Sequence, residues 1–130
     1  GRPAGPVHGR RGAVSVYADG CGRIRLVRGD SGALTVSCET LEGEPRPFAP
    51  GERVVFTVKE RYTDPAPKLV KEVTQFTEAG EAVLRFQSAD TRGLACTAYC
   101  YDVRLHGADG SVDTIVPKNE FLVGEAVGDG

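Results

Sequence analysis

Apolar side chains recur at every second position through most of this chain, and short clusters of Gly, Pro and Asp interrupt them. Ile24 and Leu26 alternate with Arg23, Arg25 and Val27, and Leu34, Val36 and Cys38 with Ala33, Thr35 and Ser37. Val54, Phe56 and Val58 alternate with Val55, Thr57 and Lys59, and Val83, Leu84 and Phe86 begin another short run. Tyr99, Tyr101, Val103 and Leu105 alternate with Ala98, Cys100, Asp102 and Arg104, and Val112, Ile115, Val116, Phe121 and Val123 complete the set. A period of two is what a strand with one buried face requires, because successive side chains point to opposite sides. Gly29-Asp30-Ser31-Gly32, Gly43-Glu44-Pro45, Pro50-Gly51, Asp64-Pro65-Ala66-Pro67 and Asp109-Gly110 separate the runs. These residue types end strands and build turns. Asp109-Gly110 lies between two strong runs and reads as a hairpin turn.

No stretch carries a clear helical period. Ser88-Ala89-Asp90-Thr91 can form one helical turn, with Ser88 as its cap. Residues 68–76 fit either a helical stripe through Leu69, Val70 and Val73 or a strand, and the preceding Pro65 and Pro67 with the β-branched content favour the strand. About seven strands in roughly 110 residues predict one all-β domain built as an antiparallel two-sheet sandwich. A small barrel is the competing architecture. A mass of 13.8 kDa is one domain's worth.

The domain is expected over residues 13–126. Residues 1–12 hold two Pro, four Gly and three Arg, too little apolar surface to repay ordering. They read as a flexible arm or a cloning remnant, with Arg10 and Arg11 as candidate contact residues. Residues 127–130 should fray. The chain contains no Met, so Gly1 is expected to follow processing or trimming, and a leader removed earlier stays open.

Lys+Arg is 16 and Asp+Glu is 18, a net charge of −2, which speaks against a nucleic-acid partner. No apolar run approaches the roughly 18 residues that span a bilayer, and no membrane partner is expected. Cys21, Cys38, Cys96 and Cys100 contain no Cys-x-x-Cys, and His8 and His106 lie far apart; no metal site is expected. An inter-sheet disulfide would join Cys38 to a late Cys. However, Cys38 shares the apolar face of its run, while Cys96 and Cys100 lie opposite Tyr99, Tyr101 and Val103. Free thiols are expected, as in a reducing compartment, unless a bulge re-aims one of them.

No Gly-x-Ser-x-Gly elbow is present, and His106 reads as a solvated residue beside a hairpin. Asp30, Asp64, Asp90, Asp109 and Asp113 have no EF-hand spacing. No helix follows the glycines at 29–32, so they make no phosphate loop. The chain reads as a non-enzyme without cofactor. Arg28-Gly29-Asp30 is an adhesion tripeptide by its letters, but Gly and Asp between two strands read first as a turn.

Four patterns in order resemble one family: Leu26-Val27-Arg28-Gly29-Asp30-Ser31-Gly32; Pro50-Gly51-Glu52-Arg53-Val54-Val55-Phe56-Thr57-Val58-Lys59; Asp90-Thr91-Arg92-Gly93-Leu94 with Tyr99-Cys100-Tyr101-Asp102-Val103; and Asp109-Gly110 followed by Ile115-Val116-Pro117-Lys118-Asn119-Glu120-Phe121-Leu122-Val123. Their order is similar to the N-terminal immunoglobulin-like domain of phage baseplate upper proteins and related tail-associated domains, over about residues 22–124. The resemblance implies an immunoglobulin-like sandwich that serves as a structural module of a phage or prophage particle. Its partners would be tail or baseplate proteins or copies of itself, in the virion or in the host cytoplasm before assembly. It also implies that Arg28-Gly29-Asp30 is a feature of the fold. In that family the domain heads a longer chain, whereas this sequence stops after it, and the four Cys are no part of the pattern. Candidate contact edges are residues 68–76, through Lys68, Lys71, Glu72 and Gln75, and the last strand. The alternative is a binding module of a secreted or cell-surface protein that recognises a protein or glycan and carries disulfides.

Overall fold

The structure, a computed structural model, describes residues 9–11, 16–18, 22–40 and 42–125. It is all-β apart from one short helix. The strands are β1 (Gly9–Arg11), β2 (Val16–Ala18), β3 (Ile24–Val27), β4 (Gly32–Val36), β5 (Arg53–Lys59), β6 (Leu69–Val73), β7 (Ala82–Phe86), β8 (Ala98–His106) and β9 (Val112–Gly124). The helix α1 spans Ser88–Arg92. Three strands form one sheet in the order β1-β4-β7, and six form the other in the order β2-β3-β9-β8-β5-β6.

The period-two positions supply the core. Phe56 and Phe121 of the large sheet, both fully buried, meet Phe86 of the small sheet with ring centroids 5.5 and 6.1 Å away respectively. Tyr101 completes the group, 5.3 Å from Phe56. Each such pair adds about 0.5–1.5 kcal/mol beyond its buried area. Phe48, outside any strand, is also buried and stacks on Phe76 at 5.3 Å. Gly80 is required beneath it, because a Cβ there would sit 2.3 Å from that of Pro47.

Three expectations are corrected. The sheets are not purely antiparallel: β3 pairs β9 in parallel, Ile24 opposite Phe121 through Val27 opposite Gly124. The turn at 28–31 carries the chain from one sheet to the other, so β3 and β4 do not pair and the flank of β3 accepts the last strand. The segment expected as a free arm contributes β1, whose Gly9–Arg11 pair with Leu34–Val36; the rest of residues 1–12 lies outside the described residues, as do Cys21 and 126–130. Gln87 rather than Ser88 caps α1. It keeps an extended backbone, and its N–H donates to Asp90 Oδ2 at 2.7 Å, which closes the first turn. The Ser88 hydroxyl instead accepts from Arg92 at 2.6 Å.

Candidate functional site

The strands expected to present open edges do not do so freely. β6 is an edge of the large sheet, but it is short and carries a charge pointing inwards. Lys71 lies opposite the buried Phe56, and its Nζ is 2.7 Å from Oδ2 of Asp90 in α1. Inward charges and short length are devices that discourage another strand from adding. β9 lies inside the sheet, between β3 and β8. Only Phe121–Gly124 pair with β3, and the ladder to β8 shifts register between Tyr101 and Arg104. Pro117 lies within that irregular stretch and has no N–H to offer.

The outer face of the large sheet is a different matter. The large hydrophobic residues exposed among those described are Tyr62, Val70 and Val112. Val70 is paired with Thr57 and Val112 with His106, and directly opposed residues share a face. Thr57 and His106 alternate with the buried Phe56, Val58 and Leu105 and so face outward. Tyr62, in the loop between β5 and β6, folds onto this face and donates its hydroxyl to Asp102 Oδ2 at 3.3 Å.

A shallow groove of about 180 Å³ lies beside Tyr62, lined by Val55, Thr57, Lys59, Cys100, Asp102, Arg104 and His106. Asp102 is 5% exposed although it faces outward, because Tyr62 and Arg104 cover it. Arg104 Nε donates to Asp102 Oδ2 at 3.3 Å. Hydrogen bonding to Tyr62 first, then the Asp102 charge, raises the Arg104 pKa above its ordinary value. Lys118 Nζ lies 5.7 Å from the centre of the Tyr62 ring. At the upper end Arg53 donates to Glu72 and lies 3.2 Å from His106 Nδ1.

The predicted contact residues scatter over this frame. Glu72 shares the outer face with Val55 but is bonded to Arg53. Lys68 is exposed, 3.9 Å from Glu60. Lys71 ties β6 to α1 through Asp90. Gln75 lies at one end of the molecule, in a cleft of about 470 Å³ with Phe48, Phe76 and Pro47. Arg10 and Arg11 lie in β1, and their side chains are outside the described residues. Tyr62, Arg104, Lys59 and Lys118 had no signal of their own beyond the outward positions of strand alternation, and Tyr62 sits in a loop without period.

The turn residues serve the fold. Gly29 has φ +85°, and Asp30 N–H donates to Val27 O at 3.0 Å. The Gly29 N–H donates to Thr91 Oγ1 at 2.9 Å, and Thr91 is fully buried. Arg28 and Asp30 are exposed. Asp109 and Gly110 lie in the loop between β8 and β9, where Asp109 Oδ1 accepts from Ser111 N–H at 3.0 Å, a bond that lowers the Asp109 pKa.

Cys38, Cys96 and Cys100 are free thiols, and burial pushes the Cys38 thiol up. Among the described residues no group of three or more His, Cys, Asp or Glu is placed to hold a metal. No described helix is long and apolar enough to cross a membrane. No family model and no curated protein matches the sequence. Among solved structures, that of murine CRIg is similar at 10% identity and a TM-score of 0.40, covering 92% of this chain and 99% of that one. A likeness at that level carries no argument about function.

Proposed function

We propose that this chain is a non-enzymatic immunoglobulin-like β-sandwich that serves as an assembly module of a phage or prophage particle. It docks on tail or baseplate proteins through the outer face of its larger sheet. The observation that carries the docking surface is that Tyr62, Val70 and Val112, the large hydrophobic residues exposed among those described, all lie on that one face, while the β6 edge is blunted by Lys71. Exposed apolar groups collected on one side of a small domain mark a contact surface.

The immunoglobulin-like reading is supported by the corner ahead of β8. Tyr99 donates its hydroxyl back to Ala95 O at 2.9 Å, as the corner tyrosine of that fold does near the start of its penultimate strand. Two residues on, where such domains place a cysteine, stands Tyr101, and Phe56 packs on it. An aromatic pair thus takes the place of a disulfide and its tryptophan. The particle reading draws on the order of the sequence motifs. Two of them meet in space, since Thr91 of the Asp-Thr-Arg motif holds Gly29 of the Arg-Gly-Asp turn. The secreted alternative expects disulfides, and the three described cysteines are free thiols.

Co-expression with the tail and baseplate proteins encoded beside the gene tests the proposal. A tail component should co-purify with the wild type and be lost with Val70→Asp/Val112→Asp. Capture of no tail component would overturn the particle reading.

A further inference from the structure

We propose that the groove beside Tyr62 receives a carboxylate side chain from an acidic segment of the partner protein, with apolar residues on either side of it. The inference rests on the outer face being the docking surface, and it names the chemistry that the face selects. Asp102, on the floor, is buried and already accepts from Tyr62 and Arg104. It is therefore satisfied and unavailable to an incoming cation. The rim is cationic. Arg104 is 47% exposed in its side chain, with Nε turned to Asp102. Lys118 lies against the Tyr62 ring, and Lys59 lines the groove. Neither lysine has a carboxylate partner among the described residues.

With Arg104 neutralising Asp102, Lys59 and Lys118 are left over against Glu120, which lies opposite Cys100 on the same face, so the groove keeps a positive excess on a chain whose net charge is −2. A local excess of one sign selects and steers a partner of the other sign. The Thr57 hydroxyl in the lining adds a neutral donor. Beyond the groove the same face carries Val70 and Val112, 48% and 51% exposed. A free inorganic anion would leave both in water, whereas a protein segment with apolar residues beside its acidic one would cover them.

Amide NMR titration of the whole protein tests this. The probe is a short peptide of alternating Leu and Glu; a Leu–Gln peptide and sodium sulfate are the controls. The Leu–Glu peptide should shift the amides of Thr57, Cys100 and Arg104. Its apparent affinity should fall at least about tenfold in Lys59→Glu/Lys118→Glu, equivalent to about 1.4 kcal/mol, and fall further with added salt. Arg85→Glu, on the exposed face of the smaller sheet, should bind as the wild type does. Amide dispersion of the double variant checks that it is folded. No shift, an equal shift with Leu–Gln, or affinity retained by the double variant would overturn the proposal. The same shifts with sulfate alone would make the groove a free-anion site and overturn it equally. A tail protein captured equally by the wild type and the double variant would leave the assembly role standing and remove only the acidic specificity.

Discussion

Replacing Thr91 with Val should destabilise this protein through a turn 62 residues away in sequence. The two side chains have nearly the same shape, so the fully buried site stays filled. What changes is one oxygen, the acceptor of the Gly29 N–H at 2.9 Å. Gly29 is half-buried and held at φ +85°, so water reaches its N–H only in part. A donor stranded in this way costs about 1–3 kcal/mol, and partial exposure places the expected loss near 2 kcal/mol. With unfolding entropy of about 2.1 cal/mol/K per residue, that lowers Tm by roughly 8 °C. Thr91→Ser keeps the oxygen and loses only a methyl, so it should retain more than half of the difference. Thermal unfolding followed by circular dichroism on the three proteins gives the answer. A Val variant melting within about 2 °C of the wild type, or a Ser variant falling as far as Val, would refute the idea that this hydroxyl anchors the turn.

Glu52 takes two bonds from Arg46, at 2.9 and 2.7 Å, and these hold its carboxyl below the ordinary 4.5. A lowered folded value contributes stability that is present above the ordinary value and lost as pH falls through the lowered one. Glu52→Gln should therefore flatten the acid-side decline of Tm below about pH 4.5, and a wild type and variant with parallel pH profiles would contradict this. Lys71→Val removes the inward charge from the β6 edge and should produce dimers or larger species in size-exclusion chromatography; unchanged elution would show that the lysine does not guard that edge. Phe56→Ala empties the centre of the ring cluster and should cost about 3–5 kcal/mol in urea unfolding. A loss under about 1.5 kcal/mol would mean that the neighbouring rings collapse into the space.

Strand periodicity in the sequence located most of the core, because each strand buries one face and the alternation records which. It was silent about Phe48, since a loop residue that plugs the end of a core has no period to betray it. Asp102 shows a second limit. Alternation assigned it to the outward face correctly, but its burial depends on Tyr62 folding back from a loop. The direction of the β3–β9 pair was also out of reach, because strand patterns do not say which flank of a sheet receives the last strand. The helical turn at 88–92 was legible, and its cap was misplaced by one residue because Asp90 binds the Gln87 N–H from inside the turn. The two motifs around Gly29 and Thr91 were visible separately, whereas the hydrogen bond that joins them exists only once the chain is folded.

The parallel seam between β3 and β9 decides how this domain responds to being pulled. Tension that draws β3 backwards by its start and β9 forwards by its end slides one strand along the other. The four register pairs from Ile24 with Phe121 to Val27 with Gly124 then bear the load together, and the Arg28 N–H to Gly124 O bond shares it. Had the two strands run in opposite directions, both pulling points would sit at one end, and the bonds would part singly. As built, the seam resists in shear, and the domain is a link that transmits strain along its length before it opens.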